Sequence, residues 1–176
     1  MPEEIKNLIR GRSISRLCHF TSSQNFIHVQ RSRSLRDQHS LRQEANPVFN
    51  PTDELRLDGH LDKLCCSIEN PNAYYLDKAR AKNRIFKDWI VIFLKADLLC
   101  KPGTLFCKRN AAANGGALLR PGVAGFSELF CENVAGAGGR MFSRNQRQLP
   151  STPTDIQAEA LVLGPVPFSE ILGSRL

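Results

Sequence analysis

Close to the C-terminal end, one amide and one carboxylate stand two residues apart in the run Pro153-Thr154-Asp155-Ile156-Gln157-Ala158-Glu159-Ala160-Leu161-Val162-Leu163, which is otherwise apolar from Ile156 onward. Read as a strand, the run sends Gln157 and Glu159 to one face and Ile156, Ala158, Ala160 and Val162 to the other. An ionised carboxylate on an apolar strand loses hydration, so it is usually paired or functional. Glu159 is therefore either an edge-strand acid facing water or a working group. Residues 133–154 just before it hold Arg140, Arg144 and Arg147, no acid, and the run Gly136-Ala137-Gly138-Gly139. A cationic loop thus feeds the strand that presents Glu159.

Two other places could do chemistry. Residues 13–20 alternate Ile14, Leu17 and Cys18 with polar positions and run into His19-Phe20-Thr21, after which Ser22-Ser23 supplies an N-cap for a helix over 24–30. A strand that turns into a helix offers side chains together with unpaired backbone N–H groups, which suits a ribose or a phosphate. A locally hydrogen-bonded structural histidine is the alternative for His19. Residues 31–58 carry few apolar side chains and the turn signals Asn46-Pro47 and Asn50-Pro51, which predicts a long loop of the kind that tends to be functional. The loop delivers Arg56 between Asp53, Glu54 and Asp58. That guanidinium is either a structural ion-pair partner or a fork for an anion.

The elements that must position these groups follow from pattern. Ile5, Leu8 and Ile9 behind Pro2, Glu3 and Glu4 predict a short helix over 2–10. Residues 63–68 read as a buried strand, 69–72 as a turn, and 73–86 as a helix that opens with Tyr74 and Tyr75. The succession Trp89-Ile90-Val91-Ile92-Phe93 is the plainest strand, too apolar to be exposed, over 88–96. A short strand over 105–107 is broken by 109–116, a helical turn covers 126–130, and Gly164-Pro165-Val166-Pro167 leads to a last short helix over 168–172. The Gly115-Gly116 pair is not a phosphate loop, because no Gly-Lys-Ser/Thr follows.

Composition sets bounds. A chain of 176 residues with 41% hydrophobic content can bury one core, and 1–176 is expected to be one domain. The net charge of +7 favours an anionic partner. No apolar run approaches about eighteen residues, and Glu3, Glu4 and Lys6 do not form a leader, so a cytoplasmic location is expected. The cysteines at 18, 65, 66, 100, 107 and 131 lack zinc spacing and read as reduced thiols.

Assembled, these pieces resemble the DarT family of toxins, which transfer ADP-ribose from NAD to bases of DNA. The matching residues are Arg16-Leu17-Cys18-His19-Phe20-Thr21 with Asn25-Phe26-Ile27, Arg56-Leu57-Asp58-Gly59, Ser67-Ile68-Glu69-Asn70-Pro71-Asn72, Trp89-Ile90-Val91, Asn110-Ala111-Ala112, and Gln157-Ala158-Glu159-Ala160-Leu161-Val162 with Val166-Pro167 and Ile171. Each motif is short, but their order holds over nearly the whole chain. The chain departs from the family after Gly59, where Leu61-Asp62-Lys63-Leu64-Cys65-Cys66 replaces an aspartate-tyrosine-valine-proline-phenylalanine run.

The resemblance implies an α/β (α+β) fold of ADP-ribosyltransferase type, with two small, mostly antiparallel sheets around an NAD cleft and flanking helices. It makes 31–58 an NAD-binding loop region and 132–154 a substrate loop before the catalytic strand. It implies NAD contacts from His19, Phe20, Thr21, Asn25, Arg56, Ser67 and Tyr75, and catalytic roles for Glu159, Arg56 and Gln157. Breaking the nicotinamide–ribose bond leaves a cationic sugar, which a carboxylate such as Glu159 stabilises, with Gln157 as orienting amide. Arg140, Phe142, Arg144 and Arg147 are expected to contact single-stranded DNA, with a solvated connection as their alternative. No metal is called for. A monomeric toxin with a macrodomain-containing antitoxin is implied; RNA or protein acceptors, or a non-catalytic nucleic-acid-binding module, are the alternatives.

Overall fold

A computed structural model describes residues 2–43, 52, 55–82 and 88–175. Helix α1 (Pro2–Gly11) buries Ile5 and Ile9, one turn apart, and carries Glu3 and Glu4 at its positive end and Arg10 at its negative end. Strand β1 (Arg16–Ser22) runs straight into α2 (Ser23–Ser32), because the Ser22 hydroxyl accepts from Asn25 N at 3.3 Å and caps the first turn.

Residues 31–58 are not the continuous loop that composition predicts. They contain β2 (Ser34–Leu35) and α3 (Gln38–Gln43), the latter nucleated by Asp37, whose Oδ1 accepts from Ser40 N at 2.8 Å. The Asn46-Pro47 and Asn50-Pro51 turns, with Asp53 and Glu54, lie outside the described residues. Strand β3 (Lys63–Ile68) and helix α4 (Ala73–Lys82) follow, with Asn72 Oδ1 accepting from Tyr75 N at 3.1 Å as the cap. The expected end of α4 at residue 86 falls outside the described residues.

Strand β4 (Trp89–Lys95) is the apolar strand anticipated from sequence, and a 3-10 turn follows it. Next come β5 (Leu105–Cys107), β6 (Arg120–Pro121) and α5 (Gly122–Glu128), which starts four residues earlier than expected. The 132–154 segment contains a ribbon of β7 (Asn133–Ala135) and β8 (Met141–Ser143). It is followed by β9 (Glu159–Leu163), β10 (Val166–Pro167) and β11 (Ile171–Arg175). The expected final helix over 168–172 is replaced by a single 3-10 turn, Phe168–Glu170, and then β11. The apolar strand β4 has an edge to fill, and β11 fills it by pairing with Val91–Leu94.

The main sheet has the order β11-β4-β1-β3-β9-β5-β6, and every pairing in it is antiparallel. Strand β3 changes partner halfway. Its Ser67 and Ile68 face Cys18 and Leu17 of β1, whereas Lys63 to Cys66 pair with Leu163 to Ala160 of β9. The two small sheets expected from the resemblance are thus the halves of one seven-stranded sheet joined through β3, accompanied by the two-stranded ribbons β10-β2 and β7-β8. The core is continuous under both halves: Leu17, Ile92, Leu94, Leu98, Leu99, Phe106, Phe126 and Val162 are all sealed from solvent. Each such side chain contributes about 1.5–3 kcal/mol of burial. All six cysteines are free thiols. Among the described residues no helix is long and apolar enough to cross a membrane.

Candidate active site

Where β3 changes partner, its neighbours separate. Past Cys18, β1 has left β3 and continues along β4 as His19, Phe20 and Thr21, while Glu159 opens β9 opposite Cys107 of β5. Between them lies a cleft of about 440 Å³. Its wall brings together His19, Phe20, Thr21, Asn25, Arg56, Ser67, Tyr75 and Glu159, drawn from four distant segments.

Glu159 is buried, and its Oε2 accepts from the backbone N–H of Ala111 at 2.6 Å. The break at 109–116, which reads from sequence only as an interruption of β5, therefore holds the carboxylate in place. Asn110 shapes that turn by accepting from Ala112 N through Oδ1 at 2.8 Å, and Asn110 and Ala112 also line the cleft. Gly116, at φ 84, lets the turn press against Asp58; a Cβ there would come within 2.8 Å of the Asp58 carbonyl oxygen.

Arg56 takes the first of the two readings that its sequence allows, the structural ion pair. Its Nε and Nη2 donate to Asp58 Oδ1 at 3.3 and 3.1 Å, its Nη1 donates to the Lys63 carbonyl at 2.8 Å, and Nη2 also donates to the His60 carbonyl. The pair is nearly sealed, with side-chain exposures of 9% for Arg56 and 2% for Asp58. The guanidinium is consequently held as a fixed, ion-paired part of the cleft wall.

His19 Nδ1 lies 2.9 Å from the Cys65 carbonyl oxygen, which can only accept, so Nδ1 carries the proton and Nε2 is left as an acceptor. Burial above all, and the charge of Arg56 as well, holds the imidazole pKa below its ordinary value, against the opposing effect of the Cys65 carbonyl. Thr21 Oγ1 accepts from Asn25 Nδ2 at 3.1 Å, which locks the strand end to the first turn of α2. Phe20 packs between Tyr75 and Trp89, with ring centroids 5.9 and 6.0 Å away. Burial, reinforced by Glu159, pushes the Cys65 thiol well above its usual range, so it stays protonated and its Sγ donates to Asp58 Oδ2 at 3.6 Å.

Two buried side-chain atoms on this wall have no partner among the described residues: Asn72 Nδ2, a donor, and Gln38 Oε1, an acceptor. Buried polar groups are normally satisfied, so such orphans mark where a ligand's polar groups would complete them. Asn72 falls in the Ser67–Asn72 stretch that carries the resemblance, whereas Gln38 does not stand out in sequence, nor does His28, which also lines the cleft with Arg31 and Arg36.

A family model described as "ssDNA thymidine ADP-ribosyltransferase, DarT" matches residues 18–173. The chain belongs to the DarT family. Solved structures agree on the fold: a DarT of Thermus sp. 2.9 in complex with NAD+ superposes with a TM-score of 0.55 at 14% identity, covering 89% of this chain and 79% of its own. A second structure from that organism, DarT in complex with ADP-ribosylated ssDNA, gives a TM-score of 0.51 at 12% identity, over 90% of this chain and 79% of its own. No curated protein matches the chain significantly.

For this DarT chain, the remaining candidate residues lie elsewhere. Gln157 is not on the strand. Asp155 Oδ1 accepts from Gln157 N at 2.9 Å and the Asp155 carbonyl accepts from Ala158 N at 3.0 Å, so residues 155–158 form a turn and β9 begins only at Glu159. Gln157 is absent from the cleft lining, and the shared face expected for the two side chains does not exist.

Arg140, Phe142, Arg144 and Arg147 also lie off the cleft wall. The Arg140 guanidinium covers the Phe142 ring at 4.9 Å on the β7-β8 ribbon, and Arg147 is exposed. Arg144 donates to the carbonyls of Thr152 at 2.7 Å and Leu149 at 2.8 Å, which pins the turn that leads back toward Glu159.

Proposed function

We propose that this protein transfers ADP-ribose from NAD to thymidine in single-stranded DNA through the cleft between β1 and β9, with Glu159 as the group that drives the chemistry. The observation that carries this reading is the Glu159 carboxylate, buried and held by Ala111 N–H at 2.6 Å on a cleft whose other wall offers His19 and Thr21. Family membership supplies the reaction class, and the family's description supplies thymidine as acceptor. The Thermus relatives, bound to NAD+ and to ADP-ribosylated ssDNA, support the choice of donor and strand.

The residues present fit NAD. His19 Nε2 would accept from a ribose hydroxyl, Asn72 Nδ2 would donate to a ligand acceptor and Gln38 Oε1 would accept from a ligand donor, which would pair the buried orphans on binding. Arg56, held by Asp58, would present its remaining N–H surface on the cleft wall to a diphosphate or the acceptor base. Phe20 and Tyr75 offer aromatic surface to the nicotinamide.

Glu159 acts on what changes during the reaction. As the bond between the anomeric carbon and the nicotinamide nitrogen breaks, nicotinamide leaves with the bonding electrons and the sugar becomes cationic. A carboxylate on the cleft wall would oppose that charge, and because Ala111 already holds Glu159, it would need no reorganisation at the moment of reaction. The base nitrogen then bonds to the anomeric carbon, and its proton passes to water. A base in a duplex stack cannot reach such a cleft, which is the physical reason for a single-stranded acceptor.

Family resemblance further supports a role as the toxin of a toxin–antitoxin pair, countered by a macrodomain-containing antitoxin that removes the modification. A DNA substrate supports a cytoplasmic site of action, and a cleft completed within one chain supports a monomer. The test is incubation with labelled NAD and separate pools of single-stranded DNA, RNA and protein. Label is expected on DNA; label confined to RNA or protein, or none, contradicts the reading.

A further inference from the structure

Where Arg12, just beyond α1, meets the 144–150 segment, an open groove is lined by Arg12, Phe130, Arg144 and the side chains around them. Two guanidiniums converge on one ring here: Arg12 lies 4.0 Å and Arg144 5.8 Å from the Phe130 centroid. Both are fixed by carbonyl oxygens. Arg12 Nη1 donates to Pro150 at 3.4 Å, and Arg144 donates to Thr152 and Leu149. Carbonyls orient a cation without cancelling its charge.

The acid on the groove wall, Glu132, forms no ion pair with either arginine among the described residues, and engages Arg144 only by accepting from its backbone N–H through its own carbonyl oxygen at 2.7 Å. The two like charges feel each other, since burial and Arg144 together depress the Arg12 pKa. A rigid, uncompensated pair of guanidiniums is the arrangement that an oxyanion relieves. Phe130 is itself buried, so its ring supports the cations and is not offered to a base. The groove is therefore built for phosphate and not for stacking.

We infer that Arg12 and Arg144 form a phosphate clamp for the DNA strand outside the cleft, gripping the backbone at a nucleotide away from the modified base. The inference rests on the DNA reading above, and one feature ties it to that strand. The carbonyls that hold both arginines belong to the 149–152 turn, which leads through Thr154 and Asp155 to Glu159. Arg12 lies ahead of the segment 18–173 that the DarT family model matches, and Arg144 lies within it.

The test is fluorescence anisotropy of labelled oligodeoxynucleotides of two lengths, one that covers the cleft alone and one long enough to reach α1, each over a salt series. With the long strand, Arg12→Gln is expected to bind more weakly and to flatten the salt dependence by about 0.7 log units of slope, the value for one neutralised phosphate on a single strand. Arg12→Lys, which keeps the charge, retains the slope. With the short strand, Arg12→Gln binds as the wild type does. An unchanged slope on the long strand, an equal loss on both strands, or a loss in Arg12→Lys as large as in Arg12→Gln overturns the clamp. Excess inorganic phosphate that weakens the short strand as much as the long one likewise shows an anion site unrelated to the strand's path. Failure of the DNA reading is separately visible, because the wild type would then transfer no ADP-ribose to either oligonucleotide.

Discussion

The backbone N–H of Ala111 donates to Oε2 of Glu159 across a sequence separation of forty-eight residues, at 2.6 Å, and both residues are buried. A backbone donor is present whatever the side chain at 111, proline excepted, so the carboxylate's position is fixed by the fold itself. Glu159→Ala leaves that N–H without an acceptor, at a cost of about 1–3 kcal/mol. Glu159→Gln keeps an acceptor oxygen and loses only the charge. Glu159→Gln is accordingly expected to unfold at nearly the wild-type denaturant midpoint, with Glu159→Ala clearly below it, and equal midpoints for the two variants would contradict the assigned hydrogen bond.

Arg56 couples stability to function. Arg56→Ala leaves Asp58 as a buried charge without its partner, which costs about 3–5 kcal/mol, and it should unfold at much lower urea than the wild type. Its NAD affinity, measured calorimetrically below the transition, should also fall. An Arg56→Ala protein with wild-type stability would show that the Asp58 pair is solvated, against the burial found for both side chains.

Protonation of His19 should be visible in stability. The folded imidazole has a pKa below the ordinary 6.5, so the unfolded chain takes up a proton first as pH falls. Below about pH 6.5 the unfolded state binds more protons than the native one, and stability falls until the lower folded pKa is reached. Above that window His19 contributes no slope. The urea midpoint of the wild type minus that of His19→Asn, followed from neutral to mildly acid pH, should therefore decline with acid. A difference that stays flat, or grows with acid, contradicts a neutral His19. The same variant should bind NAD more weakly.

Gln157, displaced from the strand by the Asp155 turn, should matter little. Gln157→Ala is expected to keep kcat/KM for DNA transfer within about twofold, or roughly 0.4 kcal/mol. A loss comparable to that of Glu159→Gln would place the amide in the chemistry after all.

The sequence made most of the site readable because strands with sealed faces announce themselves. Trp89 to Phe93 needs cover on both sides, and residues 63–68 likewise, so β3 and β4 and the strand end carrying His19 and Thr21 follow from apolar pattern alone. What failed was decided by partners distant in sequence or by single caps. Alternation across 156–163 reads as one strand, yet the Asp155 side chain captures Gln157 N and delays the strand to Glu159. Residues 171–175, with Gly173 and Ser174, carry little strand preference, and the open edge of β4 makes them one. The α3 helix hangs on the Asp37 cap in a stretch whose polarity suggests a loop. Ala111 could not be found by type at all, since its contribution is a peptide N–H. Asn72 was hidden behind its cap: Oδ1 serves α4, while Nδ2 faces the cleft.

The arginines after β7 should divide into two kinds. Arg140→Gln with Arg147→Gln is expected to reduce the salt slope of single-stranded DNA binding by about 0.7 log units for each phosphate no longer neutralised, with thermal stability unchanged. Arg144→Gln should also lower stability, because it releases the carbonyls of Leu149 and Thr152. If the double variant keeps the wild-type slope, the ribbon is a solvated connection and the strand runs elsewhere.

Mass spectrometry of nucleosides from single-stranded DNA treated with the protein and NAD tests the central claim most directly. The wild type should yield ADP-ribosylated thymidine, and Glu159→Gln, folded and still binding NAD, should yield it at least about a hundredfold more slowly. An unmodified nucleoside pool from the wild type, or equal yields from the two proteins, would contradict a DNA transferase driven by the Glu159 carboxylate.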